Sequence, residues 1–593
     1  MKRSISSQQS ATCERKPLLR NVQAIAVASA IAFMAAGGSA HAQADVATES
    51  AMVKLIRGLI DSGALKKDVG EALLAQAQTE HIAAQQALRQ AAAPVASAQP
   101  KVEPGDVRVP YVSQAVRDKI RDEVKGQIMA QARSEGWAAP NETPEWTKRI
   151  RVEGDVRLRN ESRFYSDSND NLGMVDWAAI NNGNAYDINP NSNTVLPPQL
   201  NTRQDRKNQW KARARLGVIA DITEQTSAGV RLATGNDDSP VSTTQTLGGG
   251  LEKKSVWLDQ AWFSHQPADW LKITGGRFGN PFYSTDILFS NDLNFDGLAA
   301  QFNRKLSNER VSLFGTIGVI PLEYSSDKFP GNKGDKMSSE TKWLLGAQVG
   351  ANWKLDQTNS FRGAAAYYEF KNVAGKLSDP CYLYSGQDTA CSTDWTRPAF
   401  MQRGNTLMLL RNIALNPLDP ASTAQPQYLG LASKFRLLDL NARWETRIMN
   451  GYPLRLDANY IRNLDYDADE MFARANGGIV NNFDGSGGTD RSAFRSGGNA
   501  YMLQATFGKP APSEKGEWNM MASYKYIEAD SMPDGYNDSS FHLGGTNARG
   551  YTLGTTYAFD KNTTLSGRWM SSKEVHGQPY AIDLLQLELN TRF

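Results

Sequence analysis

The chain has 593 residues, a formal net charge of +2 at pH 7 and a mean hydropathy of −0.49. This polarity excludes a bundle of membrane helices, and the near-neutral charge gives no basic excess of the kind that binds nucleic acid. The abundance of glycine (49 residues) and of aromatic residues (13 Trp, 20 Tyr and 21 Phe) favours many strands joined by turns.

The first 42 residues have the order of features of a secretory signal. Several basic residues precede an apolar stretch from Ile25 to about Ala36, and Ala40-His41-Ala42 forms an A-x-A cleavage pattern. The apolar stretch is short and is interrupted by Ser29, so we expect cleavage after Ala42 rather than a membrane anchor. Residues 1–42 are therefore predicted to be a signal peptide that exports the chain.

Residues 43–148 are predicted to form a helical appendage before the first strand. Apolar residues recur at helical spacing and predict a short helical hairpin within 43–90, followed by a linker rich in Pro and Ala at 91–111. An amphipathic helix is predicted within 112–148, where the apolar residues step by four and hold no heptad seam. Two interpretations stay open: a solvated helix at the base of a barrel, or a contact with another subunit or with peptidoglycan.

Residues 149–593 carry the alternation expected of transmembrane strands. From Arg149 to Arg159, charged residues occupy odd positions and apolar residues or glycine occupy even ones, which separates a lumen face from a lipid face. Short connections such as 221–224 alternate with long polar ones such as 372–433, as in outer-membrane barrels. We predict an all-β transmembrane fold, an antiparallel barrel of about 16 strands (14–18) with a small N-terminal helical periplasmic extension. The predicted strands lie near 149–163, 208–220, 225–233, 254–264, 270–278, 295–304, 310–320, 343–354, 359–371, 434–448, 453–463, 499–508, 517–528, 550–559, 563–571 and 581–593.

The last predicted strand ends in an aromatic residue. Leu585, Leu587 and Leu589 share one face with Phe593, and polar residues alternate with them. A C-terminal aromatic on an amphipathic strand resembles the signal that the barrel assembly machinery recognises, so we expect Phe593 to serve that role. The chain is accordingly predicted to lie in the outer membrane, surrounded by its lipid.

Two cysteines, Cys381 and Cys391, remain after removal of the signal and lie close together in a long connection. In an oxidising compartment an even pair favours a loop disulfide over two free thiols. A metal site would need more ligands than this neighbourhood offers, and no cofactor is expected.

Several segments together resemble the putative porin family of proteobacterial outer membranes. In the appendage these are the Met52–Ile60 helix with Ser62-Gly63-Ala64-Leu65 and the helix from Val112 to Trp137. In the barrel they are Gly276-Arg277-Phe278-Gly279-Asn280-Pro281-Phe282 and Asp292-Leu293-Asn294-Phe295-Asp296-Gly297-Leu298. The resemblance implies a porin that allows passive diffusion of small hydrophilic solutes or ions, and it points to a homotrimer.

Inward positions of the predicted strands are rich in basic residues, which outnumber the acidic ones about twofold. Excess positive charge on the wall of a narrow aqueous channel raises the local anion concentration, so a mild anion preference is expected. The alternative is that charges on neighbouring strands pair and leave little net field. The basic candidates are Arg151, Arg157, Arg159, Lys211, Arg213, Arg215, Arg231, Arg443, Arg447, Arg455, Arg568 and Arg592.

The connection between the fifth and sixth predicted strands, about 279–294, resembles in position the inward-folded loop of general porins. It carries Asp286 and Asp292. Opposite a cationic wall, these carboxylates would set a transverse field at a constriction and orient dipolar solutes. The alternative is that both are ordinary loop carboxylates.

Three rival functions have weaker support. A hydrolase needs a nucleophile with a base in reach, but His81, His265, His542 and His576 lie in no G-x-S-x-G or H-E-x-x-H setting, so no enzyme is expected. A structural barrel tethered to peptidoglycan through its helical extension would have a plugged lumen, which inward Arg/Glu pairs would also fit. A secreted soluble β-protein would leave the alternation of short and long connections unexplained.

Overall fold

The fold was obtained as a computed structural model. Lys119 and residues 121–124 are helical, whereas the predicted signal peptide, hairpin, linker and the rest of the amphipathic helix up to residue 144 lie outside the described residues. No helix among the described residues is long and apolar enough to cross a membrane. The structure describes Lys119, 121–124 and 145–593, except 171–173, 183–185, 188–196, 237–238, 307–308, 326–335, 337, 386–387, 389, 420–425 and 450.

Sixteen long antiparallel strands form one sheet that closes on itself. Each strand pairs with the next along the chain, and the first also pairs with the last, from Asp155 opposite Arg592 to Tyr165 opposite Ile582. The predicted barrel of about 16 strands is therefore confirmed, and the strand ends differ from the prediction by a few residues. The strands are β1 Ile150–Tyr165, β2 Arg206–Asp221, β3 Thr226–Thr234, β4 Val256–Ala268, β5 Leu271–Gly279, β6 Asn294–Lys305, β7 Val311–Glu323, β8 Lys342–Lys354, β9 Ser360–Lys371, β10 Phe435–Ile448, β11 Tyr452–Asn463, β12 Asn499–Gly508, β13 Trp518–Ile527, β14 Ala548–Asp560, β15 Thr563–Glu574 and β16 Ala581–Arg592.

Alternation along each strand separates two faces of the barrel. In β1, the side chains of Val152, Val156 and Leu158 are exposed on the outside, whereas Asp155 and Arg159 are buried inside. A continuous outer belt of exposed apolar side chains would be unfavourable in water but is the surface that lipid requires. The outer face therefore contacts lipid and the inner face lines the lumen.

The connections at the two ends of the barrel differ in length. The end that holds both barrel termini has short turns, of which 509–517 is the longest. The opposite end carries the long connections, together with two short 3-10 helices in 372–434 and a short helix, Ala468–Ala475, in 464–498. We number the connections used below as loop 2 (235–255), loop 3 (280–293), loop 5 (372–434), loop 6 (464–498) and loop 7 (528–547).

The main hydrophobic core lies inside the barrel. Ile287, Leu288 and Phe289 of loop 3 are almost fully buried, and Leu407 and Leu429 of loop 5 belong to the same cluster. Because these loops bury apolar side chains against one another, they are folded into the barrel mouth rather than extended into solvent.

Loop 5 is held together by a disulfide and an ion pair. Cys381 and Cys391 are joined, with Cα atoms 5.6 Å apart. Close by, the Arg411 guanidinium donates to both carboxylate oxygens of Asp394, at 2.8 and 2.5 Å. Both cross-links restrict the conformations that this long loop can adopt.

Candidate permeation pathway

Loop 3 leaves the barrel wall after β5 and packs on the inner face of β7, β8 and β9. The rings of Phe282 and Phe289 meet Tyr368 edge to face, with centroids 5.1 and 5.4 Å apart. A Cβ at Gly318 or Gly346 would lie only 2.8 or 2.6 Å from the Phe282 ring. Glycine at these two inward positions therefore provides the space in which the loop sits.

Polar contacts then tie loop 3 to more distant strands. The backbone N–H of Tyr283 donates to Oε1 of Gln348 on β8 at 2.8 Å. Farther along, Nζ of Lys525 on β13 donates to Oδ2 of Asp286 at 2.7 Å. Because the loop begins at β5 and reaches β13, it crosses the lumen and narrows it.

Asp292, at the other end of loop 3, faces β2. Its Oδ1 lies 3.1 Å from Arg213 and 3.4 Å from Arg215, and its Oδ2 accepts from Oγ1 of Thr243 at 3.2 Å. Burial alone would raise the pKa of Asp292, but the positive charges of Arg213, Arg157 and Arg215 outweigh burial and hold the pKa below its usual range. Asp292 is therefore ionised and neutralises part of the positive charge beside it.

Basic side chains crowd the inner face of β1, β2 and β15, and we call this group the arginine wall. The carboxylates within ion-pair distance of it are Asp155, Glu161, Glu588 and Asp292. Seven cations against four carboxylates leave a formal excess of three positive charges. The arginine wall consists of Arg157, Arg159, Arg163, Lys211, Arg213, Arg215 and Arg568.

Most of these cations pair with a carboxylate on the same or a neighbouring strand. Glu588 lies 2.5 Å from Arg159 and 2.8 Å from Arg568, and Glu161 lies 2.6 Å from Lys211. Pairing between strands, the alternative that the sequence left open, is therefore extensive. It is incomplete, because cations outnumber carboxylates.

A second group of cations lies across loop 3, on β9 to β11. The guanidinium of Arg362 is centred 4.0 Å from the ring of Tyr283. Asp457 accepts from Arg443 at 2.6 Å and from Arg455 at 2.9 Å. Tyr283 of loop 3 therefore contacts this smaller group, since Arg443 also lies 5.5 Å from its ring.

The predicted pore-lining residues lie in several different places in the structure. Arg157, Arg159, Lys211, Arg213, Arg215 and Arg568 come together in the arginine wall, and Arg443 and Arg455 belong to the second group. Arg231 pairs with Asp259 at 2.6 Å, and Arg592 lines a cavity beside Arg157. Arg151 and Arg447 are not part of either group: they contact Asp221 and the carbonyl of Gly451 near the short turns.

Three basic side chains beside loop 3 or the arginine wall were not among the predicted residues. They are Arg163, Arg362 and Lys525. Each lies in a predicted strand at an inward position, so a stricter use of the alternation would have found all three. No group of three His, Cys, Asp or Glu side chains could hold a metal ion in the part of the chain that the structure describes.

Two cavities open on either side of this narrowing. A cavity of about 750 Å³ among the long loops is lined by residues that include Arg403, His542 and Tyr580. A cavity of about 280 Å³ on the side of the short turns is lined by residues that include Arg157 and Ser513. The arginine wall thus adjoins a cavity on the side of the short turns.

Comparison with known families then settles the class of protein. Residues 49–593 match the family described as "Putative porin". The chain belongs to this family. It is an outer-membrane porin. No curated protein matches the sequence.

Solved structures similar to this porin include other barrels of the outer membrane. Pseudomonas putida OprB, solved at high pH, has 12% identity and a TM-score of 0.39, and the match covers 75% of this chain and 95% of that one. The outer membrane channel DcaP of Acinetobacter baumannii has 10% identity and a TM-score of 0.34, with 75% and 97% covered. Salmonella typhi OmpF in complex with daunomycin has 11% identity and a TM-score of 0.32, with 75% and 97% covered.

Proposed function

We propose that this porin allows passive diffusion of small hydrophilic solutes or ions, with a mild preference for anions. The observation that carries the proposal is the excess of three positive charges on the arginine wall. Positive charge in a narrow aqueous space with low-dielectric walls raises the local concentration of anions and lowers that of cations. Paired cations contribute less to this field than unpaired ones, which is why the expected preference is mild.

Loop 3 is proposed to form the constriction. Asp286, in the middle of the loop, contacts Lys525 of β13, and Asp292, near the end of the loop, contacts Arg213 of the arginine wall. Carboxylates on the loop and guanidinium groups on the wall produce a field across the opening. A dipolar solute would align with this field as it passes.

Export and assembly complete the proposal. Residues 1–42 are expected to be removed on export, and Phe593 is expected to be read by the barrel assembly machinery. Support for the second point comes from the position of Phe593, whose N–H donates to the carbonyl of Gly154 at 3.1 Å and whose ring is exposed. A homotrimer and a peptidoglycan contact through the helical extension remain predictions.

A structural barrel with a plugged lumen is the second candidate. One observation favours it: loops 3 and 5 share a hydrophobic core inside the barrel mouth. A plug and a narrowed pore both require folded loops in the lumen, but only the pore leaves a continuous aqueous path. Conduction therefore separates the two candidates.

The test is to refold residues 43–593 in detergent and to record single channels in a planar bilayer in KCl. Stable open steps are expected, because a cavity with a polar and charged lining adjoins the arginine wall. A correctly folded, heat-modifiable barrel without conductance would contradict diffusion and would make the plugged structural barrel the better account.

A further inference from the structure

The cavity on the periplasmic side of the constriction has an unusual lining. Its volume is about 280 Å³, and three of its lining residues are Arg157, Arg213 and Arg592. On one side it is bounded by the turn 509–517, the longest of the short turns. A hydrogen bond of 2.7 Å from the N–H of Asn562 to the carbonyl of Ser513 holds this turn to the barrel wall. This small space is therefore lined by three guanidinium groups and by residues of the turn 509–517.

Arg157 is a cation of this cavity without a carboxylate in direct contact. No carboxylate of the described chain lies within 4.0 Å of it, and its Nη2 donates to Oγ1 of Thr244 at 2.5 Å. Its Nε is buried without a hydrogen-bond partner. Its Cα partner on β2 is Arg213, so two like charges stand directly opposite each other on neighbouring strands. Such a pair is unfavourable by itself, and Asp155 and Asp292 beside Arg213 offset part of the repulsion.

Asn590, which pairs with Arg157 on the other neighbouring strand, carries a second buried polar atom without a hydrogen-bond partner. Asn590 of β16 is the Cα partner of Arg157, and its Oδ1 is buried without a donor. Rotation of this amide exchanges its oxygen for an NH2 group, which would become a donor toward the cavity. Arg592, two residues farther along β16, has no carboxylate within 4.0 Å among the described residues. In this structure the unmet hydrogen-bonding capacity is therefore one donor, Nε of Arg157, and one acceptor, Oδ1 of Asn590.

The lining also contains one carboxylate, Glu588, which is already engaged. Arg159 and Arg568 both contact it, at 2.5 and 2.8 Å. The remaining side chains of the cavity are mainly hydroxyl and amide groups, such as Ser566 and Asn519. A ligand with several acceptor oxygens suits this lining better than a monatomic ion, because each planar guanidinium can donate two parallel hydrogen bonds to an oxyanion.

We propose that this cavity is a binding site for a small dianionic oxyanion, with carboxylate or phosphate oxygens, that passes through the pore. The site rests on the proposed function in one respect only: the anion that it binds is taken to be a solute that the porin conducts. Arg157 is the main binding residue, and Arg592 is the supporting donor. Bound anion would also relieve the repulsion between Arg157 and Arg213.

The test measures chloride current through the wild-type porin in KCl while inorganic phosphate, and in a second series succinate, is added on both sides. A saturable fall in current is expected for at least one of the two dianions. Comparing the two concentrations for half block tells whether phosphate or carboxylate oxygens fit the site better. Arg157→Gln is expected to raise the concentration for half block about tenfold, since a charge-assisted bidentate contact is lost.

Arg455→Gln is the matched control, because it removes the same charge from the inner wall of the barrel but lies in the second group of cations. We expect its half-block concentration to stay within about twofold of wild type, since Asp457 already neutralises that position. Equal shifts in both variants, or no saturable block by either dianion in a conducting porin, would overturn the site.

A calorimetric titration of the same dianions into the folded porin in detergent does not depend on conduction. Heat of binding that is lost in Arg157→Gln and kept in Arg455→Gln supports the site even if the barrel fails to conduct, in which case only the proposed diffusion function falls. Absence of binding in a conducting, anion-preferring barrel overturns the site alone. Heat-modifiable migration of each variant verifies that it is folded.

Discussion

Two parts of the inner barrel surface follow the same alternation but present opposite chemistry. The arginine wall places long charged side chains inward on β1, β2 and β15. The inward positions of β7, β8 and β9 instead include a group of small residues that we call the packing wall. The packing wall consists of Gly318, Gly346, Gly350, Ala364 and Ala366.

The difference shows how one barrel can both hold a loop and keep an opening. Small residues on the packing wall let the ring of Phe282 approach the backbone, so loop 3 is anchored there by apolar contact. Charged residues on the arginine wall resist such contact, because burying them without partners costs far more than burying apolar groups. The cavity on the side of the short turns accordingly lies beside the arginine wall.

The largest expected effect comes from filling the packing wall. In Gly346→Val the new side chain would collide with Phe282 and with Tyr368, whose atoms lie 2.6 and 3.0 Å from the added Cβ. We expect a loss of about 1–3 kcal/mol in stability and a changed single-channel conductance, because loop 3 must move.

Gly567→Val is the control for this change. It lies on a lipid-facing position of β15, where an added Cβ would meet only Leu587, at 3.4 Å. Its conductance should match that of wild type. If Gly346→Val also conducts like wild type, loop 3 is not held by the packing wall.

The next effect concerns Asp286 and Asp292, the two aspartates of loop 3 that contact basic side chains of the barrel. Asp286→Asn combined with Asp292→Asn removes two negative charges next to Lys525 and Arg213, so the anion preference should increase. The reversal potential in a KCl gradient measures the change. Unchanged selectivity and conductance would remove loop 3 from the permeation pathway.

A smaller effect is expected from pH, and it should be confined to the external loops. Burial raises the pKa of Asp534 in loop 7 from 3.8 to about 7, and its N–H donates to Oδ1 of Asn405 in loop 5 at 2.7 Å. A carboxyl group with a raised folded pKa stabilises the fold below pH 4, and that contribution is lost as pH rises through about 7. The protection of amides in loops 5 and 7, measured as hydrogen exchange corrected for its intrinsic rise with pH, should therefore fall between about pH 4 and 7.

Asp534→Asn should abolish this loss of protection with rising pH, because the amide does not ionise. The opposite slope belongs to His542, whose pKa is lowered to about 3 by burial and by the charge of Arg403. Its contribution to stability is present above pH 6.5 and is lost as pH falls through about 3. Equal pH dependence of exchange in Asp534→Asn and wild type would show that another group controls these loops.

The smallest effect on the pore is expected from the disulfide. Cys381→Ser with Cys391→Ser removes a cross-link between residues separated by 10 positions, which should lower the stability of loop 5 locally by about 2 kcal/mol. Selectivity should not change, because neither cysteine contacts the arginine wall. A shifted reversal potential would mean that loop 5 controls the constriction and that the contrast between the two walls is incomplete.

The strands of this porin were predictable because their signal is local. Alternation over about ten residues, as from Arg149 to Arg159, suffices to identify a strand and to assign its two faces. Alternation does not tell how deep a residue lies along the barrel axis. Arg151 and Arg447 have the inward register but lie near the short turns, away from the constriction.

The seating of loop 3 was not predictable from local pattern. Its position depends on contacts between residues far apart in the chain, such as Phe282 with Gly346 and Asp286 with Lys525. The two aspartates could be named as constriction candidates only from the place of the loop in the order of strands. Their partners required the closed barrel, because strand order alone does not fix which side chains meet across a lumen.

The most direct test of the central idea is the reversal potential of the wild-type porin and of Arg159→Gln with Arg568→Gln under the same KCl gradient. Both arginines contact Glu588, so their loss lowers the excess charge of the arginine wall and leaves this carboxylate unpaired. In the wild-type porin we expect a reversal potential of the sign that reports anion preference. In the variant we expect this potential to shift clearly toward zero or to change sign. A cation-selective wild type, or an identical potential in both proteins, would contradict control of selectivity by the arginine wall.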